Sequence, residues 1–156
     1  MNSREIFACM FNDTYISKHF FGVYAADDGL NCSRPGLYIL NTDVSGNAGR
    51  HWLLVFVDED CNGHIFDSLG FRGEYRSRIA RSIHGAVFVA TQLPLQAMNT
   101  QTCGAYALYF ARELSKGRTR NDMVSVFSSI NLHANDCFVQ NYLWSYFSRF
   151  LNILAA

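Results

Sequence analysis

Only two of the 156 residues are proline. With 49% apolar and 15% aromatic content, that scarcity excludes a collagen-like, low-complexity or disordered polypeptide. Charge of one sign is missing too. Thirteen Lys and Arg cancel thirteen Asp and Glu, so there is no global pull toward nucleic acid or an anionic membrane, and such a partner would need a local patch. Long apolar runs are absent: Trp52 to Val57 and Ala105 to Tyr109 fall far below the about 20 residues that cross a bilayer. The start, Met1 to Arg4, lacks the basic, apolar and small-residue regions of a secretory signal, which predicts an intracellular protein. The five cysteines, Cys9, Cys32, Cys61, Cys103 and Cys137, form an odd set without a CxxC spacing. That argues against a zinc ribbon, a thioredoxin-type motif and a complete disulfide framework, and makes reduced thiols the expectation.

What is present fits one domain over residues 1–156, long enough to bury roughly two thirds of its unfolded surface. Asn2-x-x-Glu5 has the form of a capping box, and Ile6, Phe7, Met10 and Phe11 follow at helical spacing. Tyr15 to Tyr24 reads as a loop-rich lead-in, with turns at Asp27-Asp28-Gly29 and Pro35-Gly36. Leu37 to Leu40 reads as a strand. Ser45, Gly46, Asn47 and Gly49 form a flexible loop before the apolar run Trp52 to Val57, which turns at Asp58 to Gly63 and returns as His64 to Asp67, a hairpin. Arg72 to Ile83 reads as a polar helix and Ala86 to Ala90 as a short buried strand. After Pro94 and the polar loop Gln96 to Thr102, Cys103 to Leu114 carries an apolar helical face closed by Gly117. Thr119 to Ile130, capped by Thr119 or Asn121, and Asp136 to Leu154, with Val139, Leu143, Phe147 and Phe150 on one face, complete the helices. Strands early and helices late predict an α+β domain with no internal repeat.

Four side chains fall at telling places in this layout. His51 begins a strand, Asp67 ends its partner, Gln96 lies in a polar loop and Cys103 opens a helix. A thiol with a pKa near 8.5 is mostly protonated at neutral pH, and both a helix N-terminus and a neighbouring imidazolium favour the thiolate. A hairpin brings the start of one strand beside the end of the next, so His51 and Asp67 meet across sixteen positions and the carboxylate can orient the ring. Attack on a carbonyl needs donors for the oxyanion, and the Gln96 side-chain amide and the Cys103 backbone N–H are the candidates. Gly104 permits close approach of a substrate, Gly46 and Gly49 leave room beside His51, and Trp52 can shield the imidazole.

At these residues the sequence resembles the adenovirus-type endopeptidases (adenain), within the wider clan of Ulp1/sentrin proteases. The strings are Gly49-Arg50-His51-Trp52, Phe66-Asp67-Ser68-Leu69-Gly70 and Gln96-x6-Cys103-Gly104, supported by Phe20-Phe21-Gly22-Val23-Tyr24, Ile39-Leu40-Asn41-Thr42 and the Tyr142 to Phe150 helix. The resemblance implies a papain-like, Ulp1/adenain-type fold: a central mixed β-sheet packed by helices, with the catalytic cysteine at a helix N-terminus. It makes His51, Asp67 and Cys103 the triad and Gln96 the oxyanion-hole residue, with Gly49, Trp52 and Gly104 at the substrate. Adenain usually has Glu at the place of Asp67, and the Asp-Ser-Leu-Gly string is closer to the sentrin proteases. The seven positions from Gln96 to Cys103 follow adenain, and Thr102 stands where sentrin proteases place Asp.

The implied activity is a thiol endopeptidase acting on viral or virus-like precursor proteins at Gly-containing sites, in the host nucleus or virion. Deconjugation of ubiquitin-like tails is the enzymatic alternative. Adenain is stimulated by DNA and by a capsid-derived peptide that bonds to an upstream enzyme cysteine. Arg81 to Val89 contains no cysteine and the net charge is zero, so neither cofactor carries over, and a monomer without metal is expected. Arg72, Arg76, Arg78 and Arg81 read as a solvated helix face before a DNA site. His19, His64, His84 and His133 lack zinc-ligand spacing. Cys61, in the hairpin turn, is the thiol expected to be exposed. Two non-enzymatic readings compete: a binding module that kept the fold and lost the activity, and a nucleic-acid binder, whose affinity would fall steeply with salt.

Overall fold

Local signals place most elements where the sequence puts them. The computed structural model describes residues 1–47, 49–72 and 75–155, the side chains of 153–155 excepted. Asn2 and Glu5 exchange side-chain and backbone bonds in a capping box that starts α1 (Ser3–Asn12). That satisfies two N–H groups that a helix start would otherwise leave unpaired. β1 (Phe20–Tyr24) follows, and it corrects the reading of residues 15–24 as loop. The strand exists because it pairs in parallel with β3 (Gly36–Asn41), a long-range contact that no local pattern announces. β2 (Leu30–Asn31) pairs with a second short strand, β6 (Ile83–His84).

The hairpin forms as β4 (Trp52–Val57) and β5 (Asn62–Phe66). Its turn is tightened by Asp58, whose Oδ1 accepts the N–H groups of Asp60 and Asn62. Cys61 sits there with φ 62° and is exposed as expected. β7 (Val87–Ala90) joins β5 in parallel. It is an edge strand, with Val87 79% and Val89 54% exposed, which corrects the expectation of a buried strand: on the sheet edge, alternate side chains meet solvent. The order β1-β3-β4-β5-β7, antiparallel in the middle and parallel at both ends, makes a mixed sheet.

Alternation along β4 and β5 divides the core between the two faces of the sheet. Trp52, Leu54 and Phe66 pack with α1, α3 (Cys103–Ser115) and α5 (Leu132–Ala155). Leu53, Val55, Val57 and Ile65 pack with Phe71 and with Ile79 of α2 (Tyr75–Ser82). The fold is thus α+β, a central mixed sheet packed by helices on both sides. α2 is shorter than the 72–83 expected from sequence, and residues 73 and 74 lie outside the described residues. α3 ends as expected. Gly117 takes φ 83°, and Arg118 N–H reaches the Glu113 carbonyl at 3.0 Å while Gly117 N–H reaches that of Leu114 at 2.8 Å, the paired bonds of a left-handed helix stop. α4 (Arg120–Val124) is capped by Thr119 and stops well before Ile130. α5 begins four residues earlier than read, because Asn131 Oδ1 accepts the Ala134 N–H at 3.0 Å and caps it. Among the described residues no helix is long and apolar enough to cross a membrane.

Candidate active site

The hairpin register explains how His51 and Asp67 meet. Leu54 pairs with Phe66, so one step further Leu53 stands opposite Asp67. His51 is then a diagonal neighbour on the same face, within reach of a long side chain. His51 Nε2 lies 2.7 Å from Asp67 Oδ1, with Asp67 fully buried and His51 6% exposed. Asp67 is saturated with donors: Oδ1 also accepts the Leu69 N–H at 2.8 Å, and Oδ2 accepts the Tyr75 hydroxyl at 2.5 Å. Its own N–H donates to Thr91 Oγ1. A buried carboxylate with this many partners is held in one orientation, and it holds the imidazole in turn.

With Nε2 committed to Asp67, Nδ1 is the ring atom left for the thiol. Cys103, 7% exposed at the first position of α3, lies close enough to His51 for each to shift the other's titration. Burial works against the imidazolium, yet hydrogen bonds and charge from Asp67 and Cys103 outweigh it and push the His51 pKa up to about 9. Burial likewise works against the thiolate. The His51 hydrogen bond and charge, with the backbone N–H groups of Trp52 and Gly104, outweigh it and bring the Cys103 thiol below its ordinary value. The opposite directions have one cause, each group favouring the charged form of the other. The thiols of Cys9 and Cys32 behave in the contrary way: buried without a cation, they are pushed up to about 12.

Gln96 lies in the loop before α3 and is buried. Its Oε1 accepts the Ser68 hydroxyl at 2.6 Å and its Nε2 donates to the Thr100 carbonyl at 2.8 Å. The Ser68 carbonyl accepts the N–H groups of Leu95 and Gln96, so the residue after Asp67 fixes the loop by three bonds. One of the two Nε2 hydrogens is spent on Thr100, and an amide carries a second. Gly104 follows Cys103 and packs against Met1: a Cβ there would come within 3.1 Å of Met1 Sδ. The Trp52 indole N–H donates to the Met1 carbonyl, so the start of the chain lies against the same end of α3. Gly49, at φ 78°, covers Asn41. Gly49 and Trp52 both line a cleft of about 260 Å³ whose walls include Ser3, Asn41 and Asp43.

Two groups escaped sequence reasoning. Tyr75 bonds Asp67 and sets its ring 5.6 Å from that of His51. Burial and the Asp67 hydrogen bond hold its phenol far above the ordinary value. A signal existed: in the polar segment Tyr75 and Ile79 are four apart, the one apolar face a helix there can turn inward. Asp136 accepts bonds from both sides of the Gln96 loop, and nothing local in the sequence singles it out. The arrangement has the parts that a nucleophile–base–carboxylate relay requires: a buried sulfur, an imidazole and an anchored carboxylate behind the ring.

No family model matches the chain, and no curated protein does. Among solved structures, a crystal structure of the ASFV pS273R protease is similar at 25% sequence identity over 68% of this chain, with a TM-score of 0.42. The chain spans 44% of the length of that structure's chain.

Proposed function

We propose that the chain is a cysteine endopeptidase of the adenain and Ulp1/sentrin-protease clan that cleaves viral or virus-like precursor proteins at Gly-containing sites. The observation that carries the proposal is the buried sequence Asp67–His51–Cys103, with the ring's affinity for protons raised and the thiol's lowered. The Cys103 thiolate attacks the scissile carbonyl carbon, forming a C–S bond and an oxyanion. The free Gln96 amide hydrogen and the Cys103 backbone N–H are its donors. As the tetrahedral species collapses, His51 gives its proton to the leaving amine and the C–N bond breaks. Water then attacks the thioester, His51 takes the water's proton, and the carboxylic acid departs from a regenerated thiolate. Asp67 keeps the ring oriented and charge-balanced throughout. Gly49, Trp52 and Gly104 border the substrate, which is a protein; the enzyme acts as a monomer and without a metal or an obligate activator.

Purified protein is assayed with Leu-Arg-Gly-Gly fluorogenic peptides, capsid-precursor peptides and ubiquitin-like conjugates. Turnover of the precursor peptides that vanishes in Cys103→Ala supports the proposal. Preference for the conjugates instead identifies a deconjugating enzyme with the same chemistry. Turnover that survives Cys103→Ala, or a protein that none of these substrates engages, overturns it.

A further inference from the structure

Catalysis by the proposed route requires two separate pieces of chain to keep a fixed spacing: the loop that carries Gln96 and the helix start that carries Cys103. The first is not regular structure, and no side-chain cap fixes the second. Residues 95–102 form no strand or helix, and Thr102, at the N-cap of α3, makes no side-chain bond to the helix it precedes. Its hydroxyl turns away, to Asp136 Oδ1 at 2.8 Å.

Asp136 stands in the second turn of α5 and is 5% exposed. Its Oδ2 accepts the Ala97 N–H at 3.2 Å and lies 2.9 Å from the Thr100 hydroxyl. Its Oδ1 takes Thr102 and lies 3.1 Å from the Tyr106 hydroxyl. Tyr106, on the first turn of α3, also reaches the Leu95 carbonyl at 2.8 Å, where Asn135 Nδ2 arrives at 2.9 Å. One carboxylate is therefore bonded to the residue after Gln96 and to the residue before Cys103. It also holds Thr100, whose carbonyl anchors the Gln96 amide. A buried anion so placed is a rigid joint: the Ala97 N–H and the Thr102 hydroxyl donate to it, and the Thr100 and Tyr106 hydroxyls, whose single protons can also go to the Ala97 and Leu95 carbonyls, lie against it.

We propose that Asp136 is a positioning residue, which sets the Gln96 amide against the Cys103 helix start and so shapes the oxyanion site without touching substrate. The inference rests on the proposed thiol-protease reading and deepens it. Asp136 has no part in the His51–Asp67 pair: its bonds go to Ala97, Thr100, Thr102 and Tyr106. Its loss therefore separates two properties that a general loosening of the fold would damage together. Asp136→Asn is the sharper variant: it keeps the shape and removes the charge, and with its oxygen on the Ala97 N–H its NH2 stands where the Thr102 hydroxyl donated, so that hydroxyl must turn from donor to acceptor.

The test measures, for wild type, Asp136→Asn and Gln96→Ala, the alkylation rate of Cys103 by iodoacetamide against pH, and kcat and KM for a cleaved peptide. Alkylation needs the thiolate and no oxyanion site. The expected result for Asp136→Asn is an alkylation profile unmoved in midpoint and within about twofold in rate, a kcat lower by about 10² and a KM little changed. The double variant Asp136→Asn with Gln96→Ala is expected to be no slower than Gln96→Ala alone, because the first acts through the second. Thr100→Val, which removes a single donor from the same carboxylate, gives a smaller loss of kcat of the same kind and serves if Asp136→Asn does not fold. Unchanged kcat in the folded variants, independent multiplication of the two losses, or alkylation falling in parallel with kcat overturns the inference. A wild-type alkylation profile like that of a free thiol overturns instead the reading beneath it.

Discussion

Replacing Asp67 by Asn separates the carboxylate's charge from its shape. In the native protein three donors converge on it: the His51 ring at 2.7 Å, the Leu69 N–H at 2.8 Å and the Tyr75 hydroxyl at 2.5 Å. Asn retains one acceptor oxygen and puts an NH2 in place of the other, so the Tyr75 hydroxyl must turn from donor to acceptor, and the imidazolium loses its counter-charge. The His51 pKa stands at about 9 against an ordinary 6.5, a difference on the order of a few kcal/mol. Asp67 and Cys103 share that stabilisation, and burial opposes it. Removal of the carboxylate is therefore expected to lower the ring's titration midpoint by at least one pH unit, about 1.4 kcal/mol. Nitrogen-15 NMR of the labelled imidazole, followed from pH 5 to 10, reads this directly. The ring is the cleaner readout because the two members of the pair pull stability in opposite senses. The raised His51 pKa stabilises the fold fully below pH 6.5 and ceases to do so as pH rises through about 9. The lowered Cys103 pKa stabilises above pH 9.0, its ordinary value, and that contribution is lost as pH falls through the depressed one. An Asp67→Asn ring that titrates where the wild-type ring does would refute the electrostatic account of the site.

Other expectations follow from single contacts. Gln96→Ala removes the proposed side-chain oxyanion donor, and steady-state kinetics should show kcat down by about 10²–10³ with KM nearly constant. Tyr75→Phe deletes a hydrogen bond to a buried carboxylate, worth about 1.5–3 kcal/mol, and should lower both the thermal midpoint and kcat while leaving KM in place. Phe147 of α5, fully buried in the core shared with α1 and α3, should cost about 3–5 kcal/mol when cut to Ala, measured by urea unfolding.

The parts of the fold legible in sequence are those specified within a few residues. Asn2 and Glu5 announce α1, the run from Trp52 to Asp67 announces a hairpin, and Gly117 announces the end of α3. Because a hairpin and a helix start are local, the positions of His51, Asp67 and Cys103 on their elements could be read as well. What could not be read depends on partners far along the chain. Phe20 to Tyr24 is a strand only because Leu37 to Leu40 lies beside it, and the exposure of Val87 and Val89 follows from the sheet ending there. Ser68 and Gln96 are 28 positions apart, and Thr102 and Asp136 are 34 apart. The supports around the candidate site are long-range contacts of ordinary polar residues, so no spacing betrays them, whereas the candidate histidine, aspartate and cysteine carry their own chemical signature.

The central claim is that Cys103 is held as a thiolate by His51 at neutral pH, and iodoacetamide labelling of Cys103 against pH tests it most directly. The account predicts a wild-type rate already high well below the ordinary thiol pKa and a profile displaced to higher pH in His51→Ala. A wild-type profile that rises only near pH 9, or one that His51→Ala leaves in place, would contradict it.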